Sequence, residues 1–544
     1  MLLTKLVIKL LNQSYLNPQT LARSKRQWAK THGFMPGNSQ ILLAYKKLVS
    51  ESKIRPNREL EHFLRLKKVR SLSGIVPVAL MTKPYPCPGQ CIYCPTQAKI
   101  PKSYLDDEPA VMRARRANFD PYLQVKRRLK QLRQTGHSTQ KIELIIMGGT
   151  FSVLPHDYQL EFIIQCFAAC NKSRIKNDEL RIMNVKEKLK ILVQQQKINE
   201  EAKQRIIGLT LETRPDFINE KEIKWLRILG CTRVEIGVQS LDDAVLKKVK
   251  RGHGVSATVK ATRFLKDAGF KVCYHLMPNL PGSNPTKDLK MLKNVFTNPR
   301  FKPDMLKIYP CVVLYQAKLY KNFKKGQFKP YTDTQLIKLL LKIKKIVPEW
   351  VRINRLGRDI PVANIAAGNK LSNIRQILQT EMKKKKLRCR CIRCREIKNL
   401  TRHSKHPTCH PELDSGSIKI IHYQASGGIE YFLQYCDQKD RLLSLLRLRF
   451  PGPKQVLSVL KNSAIIRELH TYGLSLPLKN HDKKATQHEG LGKKLLVEAE
   501  KIAQKQGYKK IAVISGIGAR DYYRKLGYQL KDTYMVKDLD PLNN

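Results

Sequence analysis

Acidic residues are scarce in this chain: 44 Asp and Glu stand against 103 Lys and Arg over 544 residues, a net charge of +59. So positive a surface draws a polyanion by steering and counterion release, and RNA or DNA is the expected partner; lysine enrichment across a genome would raise the charge without any binding role. Long apolar runs are missing too. No stretch approaches the ~18 residues that cross a bilayer, and the opening MLLTKLVIKLLNQ is broken by Lys5 and Lys9 with no small-residue cleavage site. A cytoplasmic protein with no membrane partner is expected. A disulfide framework is also lacking, since the 13 cysteines are odd in number and six fall in two tight clusters, a spacing that suits metal ligation better than disulfides.

What is present divides along the chain. Residues 1–70 carry 15 Lys and Arg against Glu51, Glu59 and Glu61 and read as a basic helical segment facing nucleic acid. Residues 71–380 alternate β-rich runs with amphipathic stretches: IVPVALM (75–81), IELIIMGG (142–149), RIIGLTLETRP (205–215), RVEIGVQS (233–240), KVCYHLMP (271–278) and MLKIYP (305–310). This pattern predicts an α/β fold with a partial (βα)6 barrel whose chemistry sits at the carboxyl ends of the strands. Polar or glycine-rich groups fall there: Gly148-Gly149-Thr150, Glu212-Thr213-Arg214-Pro215 and Gln239-Ser240. Residues 171–204, polar and weakly periodic, are expected as a surface helix or loop without a function of their own. A linker of different composition covers 381–427, and 428–544 read as a smaller α/β domain.

Cys87-x3-Cys91-x2-Cys94 directly follows the first predicted strand. Three thiolates can hold three irons of a [4Fe-4S] cluster and leave the fourth iron open to S-adenosylmethionine; a structural zinc knuckle would leave the barrel unexplained. Spacing and position resemble the radical S-adenosylmethionine (SAM) superfamily. Gly148 and Gly149, lacking Cβ, would let backbone approach the cofactor, and with Thr150, Glu212 and Gln239 they form the expected SAM site.

In the last domain, Gln487-His488-Glu489-Gly490-Leu491-Gly492 precedes an amphipathic helix. Bare amides at such a helix start suit the pyrophosphate of coenzyme A, and QxxGxG is similar to the acetyl-coenzyme A motif of GNAT acyltransferases. A tyrosine hydroxyl of the Tyr522-Tyr523 pair near a thioester could protonate a departing thiolate. A second cluster, Cys389, Cys391 and Cys394, places three thiols within six residues and reads as a structural zinc site, with His403, His406, Cys409 and His410 as candidates for a fourth ligand.

The combination resembles the catalytic subunit of Elongator in its bacterial and archaeal single-chain form. The strings that carry it are DPYLQ (120–124), MGGTF (147–151), LETRPD (211–216), CTRVEIGVQS (231–240), RGH (251–253), HLMPNLPG (275–282), IRELHTYG (466–473), HEGLG (488–492) and IAVISGIGARDYYRKLGY (511–528). The resemblance spans roughly 70–400 and 428–537. It implies modification of tRNA uridine 34 to 5-carboxymethyluridine, in which a deoxyadenosyl radical activates the acetyl methyl of acetyl-coenzyme A and the thioester is later hydrolysed. It further implies that an anticodon stem-loop is held by phosphate contacts, that a reductase or other reductant feeds the cluster, and that the chain works as a monomer or homodimer. Carried over by motif position, Lys141, Glu468-Leu469-His470-Thr471, Leu491-Gly492-Lys493 and Tyr523 would contact acetyl-coenzyme A, with Tyr523 catalytic. Residues 400–427 depart from the family's connecting segment. The competing functions are a protein lysine acetyltransferase with a structural cluster and a catalytically silent tRNA-binding scaffold.

Overall fold

The computed structural model describes residues 2–13, 16–66, 73–397, 417–473 and 490–539. His403, His406, Cys409, His410 and the Gln487-His488-Glu489 portion of the glycine motif lie outside the described residues. The chain opens with helices Leu2–Leu11, Pro18–His32, Asn38–Ser50 and Arg58–Leu64. The second begins where the Asn17 side chain accepts from the amides of Gln19 and Thr20, and it ends at Gly33 with φ +72, the capping chemistry such residues favour. Leu6, Val7, Leu10, Trp28, Ile41 and Tyr45 meet in a core of the bundle's own, leaving most of its Lys and Arg exposed. The bundle leans on helix Pro121–Gln134, where Lys46 donates to the Arg133 carbonyl at 2.9 Å.

Strands β1 (Ile75–Met81), β2 (Lys141–Met147), β3 (Arg205–Thr213), β4 (Arg233–Gln239), β5 (Lys271–Leu276) and β6 (Met305–Ile308) follow one another in a single parallel sheet. Past a short strand, β7 (Val313–Leu314), which pairs separately with β9 (Ile365–Ala367), the sheet gains β8 (Arg352–Leu356) beside β6. The half-barrel thus has seven parallel strands instead of the six expected. RINRL escaped notice because Arg352, Asn354 and Arg355 interrupt any apolar pattern, and pairing with β6 supplies what local propensity lacks. Alternation along β2 buries Ile142, Leu144 and Ile146 beneath the helices and turns Lys141, Glu143, Ile145 and Met147 toward the lumen.

The stretch expected as an idle surface insertion forms helices Asn177–Ile182 and Val185–Glu201. The second is half-buried, and its Glu200 pairs with Arg520 at 3.0 Å and with Arg524 at 2.6 Å, so it braces the following domain.

That domain is a second seven-stranded sheet in the order β10 (Ile418–Ala425), β11 (Gly428–Cys436), β12 (Leu442–Phe450), β13 (Ser463–Thr471), β14 (Lys510–Val513), β16 (Tyr534–Asp538), β15 (Gln529–Lys531). All its pairings are antiparallel except β13 with β14. The sheet therefore starts at Ile418, upstream of the 428 boundary expected from sequence. Helix Leu491–Lys505 packs Leu495, Leu496 and Ala499 on one face of it.

The two sheets share one core: Ile465, Ala512, Ile514, Ile517 and Tyr534 pack into the apolar cluster of the barrel. A Cβ on Gly516 or Gly518 would collide with the backbone at Ile207 or Arg205 of β3, so these glycines set how close the domains come. Beside them lies a buried ionic network. Arg467 grips Asp304 through two bonds and reaches Glu430 at 2.9 Å; Arg449 donates to Asp267 at 2.6 Å and Glu430 at 3.0 Å; Arg447 donates to Glu468 at 2.8 Å. Lys266 lies 3.3 Å from Glu430, so four carboxylates face four cations.

Removing one partner of such a network strands the others' charge. Asp304→Asn is expected to cost about 3–5 kcal/mol, read as a lowered urea midpoint. Burial alone would raise the carboxyl pKa values, but Arg467 beside Asp304 and Glu430, and Lys271 beside Glu468, more than reverse it, bringing Glu468 to about 2. Their stabilisation is complete above an unfolded pKa of ~4 and is lost as the pH falls through the folded values. Urea titrations should show the midpoint dropping from pH ~4 downward, less steeply in Glu468→Gln.

Candidate functional site

The loop after β1 carries Cys87, Cys91 and Cys94 across the carboxyl ends of the strands. Backbone bonds fix it: Ile92 donates to the Val249 carbonyl at 3.1 Å, and Leu319 donates to that of Ile92 at 2.7 Å. A Cβ at Gly89 would meet the Arg214 guanidinium, so a glycine there leaves that arginine its place beside the loop. Arg251 donates to Cys91 Sγ at 3.5 Å. Burial and the neighbouring Cys91 push the Cys94 thiol up to about 11; a cation bound by all three thiols would reverse that penalty.

The loop roofs a cavity of about 460 Å³ lined by all three cysteines and by Gly149, Thr150, Glu212, Arg214, Gln239, Arg251, His275, Lys307 and Arg358. Of the expected SAM contacts, Gly149, Thr150, Glu212 and Gln239 reach it. Gly148 does not: with φ +136 it packs under the turn, where a Cβ would collide with Thr82 Oγ1. Gln239 holds φ +67, a conformation that costs a non-glycine residue energy and recurs at functional sites. Glu212 accepts from the Tyr104 hydroxyl at 2.9 Å and from Lys307 at 3.4 Å. Arg214 spends two nitrogens on Asp216, at 3.0 and 2.7 Å, while its Nη1 is buried with no hydrogen-bond partner among the described residues. An orphaned guanidinium N–H in the cavity that the three cysteines line is suited to an anionic ligand group.

Sequence reasoning missed the column of charge below this cavity. Lys307 pairs with Glu235, which also binds His275 Nε2 at 2.9 Å; Arg233 reaches Glu235 at 3.6 Å and Glu143 at 2.6 Å. The signal was present as a charged residue in the middle of each apolar strand: Glu235 in RVEIGVQ, His275 in KVCYHL, Lys307 in MLKI. Glu235, Cys273 and His275 bring donor atoms within 4.8 Å of one another, but the Lys307 ammonium already occupies the carboxylate, so the group reads as an ion-pair relay.

At the amino end of the lumen the second domain closes the barrel. Lys141 stands there beside Arg205, its pKa lowered by burial and that arginine. β13 pairs with β14 only from Ser463 to Ile466, then runs on to Thr471 beside β12 alone, so a wedge opens between the two parallel strands. Leu469 and Thr471 face Gly492, at 3.9 and 3.6 Å from where its Cβ would be, whereas Glu468 turns to Lys271 at 3.7 Å and Tyr472 to Arg352 at 3.3 Å. Gly490, φ +72, starts helix Leu491–Lys505 without a side-chain cap; Leu491 is buried and Lys493 exposed. Tyr523 is buried in the core under that helix, and Tyr522, with its hydroxyl 3.4 Å from the Gly492 Cβ position, is the tyrosine nearer the turn.

In the linker, Cys389, Cys391 and Cys394 place their sulfurs within 4.8 Å of one another. Lys344 donates to Cys394 at 3.0 Å, and bonds from Cys389 and Cys391 hold Cys394 far below the usual thiol pKa.

Comparison with known proteins bears on both halves. Residues 84–294 match the Radical SAM superfamily model and residues 303–384 the Radical_SAM C-terminal domain. The chain is 46% identical to the tRNA uridine(34) acetyltransferase of Methanocaldococcus infernus, covering 93% of this chain and 92% of that one. It is 45% identical to the Dehalococcoides mccartyi protein of that name (87% and 100%) and 39% identical to Elongator complex protein 3 of Homo sapiens (88% and 86%). The solved archaeal Methanocaldococcus infernus Elp3 with N-terminus deletion superposes with a TM-score of 0.72 at 44% identity, covering 86% of this chain and all of that one.

Gly148→Ala should cost about 1–3 kcal/mol through its backbone conformation plus the Thr82 collision. Thermal unfolding is expected to show partial recovery in Gly148→Ala/Thr82→Ala, because only the collision is relieved.

Proposed function

The chain belongs to the radical SAM family of the tRNA uridine(34) acetyltransferases and Elongator complex protein 3, and from that premise we propose that it converts the wobble uridine of tRNA to 5-carboxymethyluridine with acetyl-coenzyme A. The observation that carries the reading is the union of a three-cysteine cavity and a wedge-bearing second sheet across one continuous core.

Membership of the radical SAM superfamily implies a [4Fe-4S] cluster and SAM. Cys87, Cys91 and Cys94 would hold the cluster, and the donor set fits: three thiols on one loop line a single cavity, with Arg251 beside Cys91. Arg214 Nη1 would take a cofactor carboxylate, and Gly149, Thr150, Glu212 and Gln239 would line the rest, with Gly148 shaping the turn. Together these cofactors would supply a one-electron cleavage that generates a hydrogen-abstracting radical. Lys307 would keep Glu212 and Glu235 paired on the cavity floor.

We read the second sheet as a GNAT-type domain. The β13–β14 wedge would receive the pantetheine arm along Glu468, Leu469, His470 and Thr471. The uncapped amides at Leu491, Gly492 and Lys493 would meet the pyrophosphate, Lys141 would meet the coenzyme from the barrel side, and Tyr523 would serve the departing thiolate. The cysteines of the linker would hold a structural zinc. The basic bundle of residues 2–66 would grip phosphates of the anticodon stem-loop while an unstacked base enters the cavity.

The test is mass spectrometry of nucleosides from tRNA incubated anaerobically with reconstituted protein, SAM, a reductant and acetyl-labelled coenzyme. Labelled 5-carboxymethyluridine is expected, and none with Cys91→Ala; labelled acetyl-lysine in protein with unmodified tRNA would establish a lysine acetyltransferase instead. Elemental analysis should find one zinc per chain in the wild type and none in Cys389→Ser/Cys391→Ser.

A further inference from the structure

Release of the product requires hydrolysis of a thioester, and a base must take a proton from the attacking water. The mouth where the β13–β14 wedge meets the barrel offers few bases. Glu468 is spent on Arg447 at 2.8 Å and Lys271 at 3.7 Å. Glu396 is spent on Arg352 at 2.6 Å. His470 differs. It lies on β13 between Glu468 and Tyr472, its ring 4.3 Å from that of Tyr472, and its Nε2 is buried with no hydrogen-bond partner among the described residues. Strand alternation turns it, with Glu468 and Tyr472, toward the barrel, while Leu469 and Thr471 face the glycine turn.

We infer that His470 is the general base of the thioester-hydrolysis step. The inference rests on the function proposed above. Water adds to the thioester carbon and gives a proton to His470 Nε2; the C–S bond then breaks and the proton passes to the leaving sulfur. A carboxylic acid and free coenzyme A result, with no change of oxidation state. The surroundings keep the imidazole neutral: burial, with Arg352 on β8 and Lys271 on β5, outweighs the carboxylates of Glu468 and Glu396 and holds it down to about 4. A base of this kind stays competent well below the pH at which an ordinary histidine gains its proton.

The test uses full-length reconstituted protein with SAM, reductant, tRNA and acetyl-coenzyme A, following coenzyme A release by chromatography from pH 5 to 8. In His470→Gln, kcat for release at saturating acetyl-coenzyme A should fall by ~10²-fold or more, and tRNA carrying a thioester-linked coenzyme should accumulate. Added imidazole should restore release to His470→Ala. The inference is overturned if His470→Gln releases coenzyme A at the wild-type rate and pH profile, or if neither the adduct nor imidazole rescue is seen. Wild-type protein that releases no coenzyme A with tRNA would instead overturn the proposed function itself.

Discussion

Asp304 is the point on which the molecule turns. It sits just before β6, accepts the Val272 amide at 2.8 Å, and is gripped from the other domain by Arg467, which also reaches Glu430. Desolvating these groups is expensive, and the network exists only because every member is matched and hydrogen-bonded. Forked guanidiniums on carboxylates impose a geometry that an apolar interface would not. Everything at the lower mouth of the barrel depends on that geometry, including the approach of Glu468 to Lys271 and of Tyr472 to Arg352.

From this junction the lumen reads as one polar column. The cysteine cavity opens at the carboxyl ends, Glu212, Lys307, Glu235, Arg233 and Glu143 descend through it as successive ion pairs, and β13 closes the base. The three-cysteine cavity and the β13–β14 wedge are thereby held on a single axis.

Much of this was legible in the sequence. β1 has the limits that the run IVPVALM predicts, and the cysteine loop falls where a βα repeat places chemistry. Three things were not legible. β8 is a strand by partnership, since RINRL has no apolar pattern until β6 pairs with it. β10 and β11 were hidden by the unusual composition before residue 417, which blurred the boundary. The helix Val185–Glu201 looked like filler because, Leu192 apart, its buried residues are the polar Lys188, Gln195, Gln196, Asn199 and Glu200, several of which pair with groups distant in sequence. Gly148 shows the same limit at residue scale: a glycine beside a cofactor loop invites a ligand-clearance reading, and Thr82 is the reason found.

The glycine turn that docks on β3 carries a consequence for anyone who would rebuild this enzyme. Gly516 and Gly518 press backbone against backbone at Ile207 and Arg205, and Ile514 and Ile517 complete the barrel's own core. The second sheet is thus a missing wall of the barrel, not a module hung from it. A chimera made by exchanging everything after the linker would inherit a foreign turn, expose the flank of β3, and leave the barrel unfinished. The exchangeable unit is the pair of surfaces, and the two halves are constrained to diverge together.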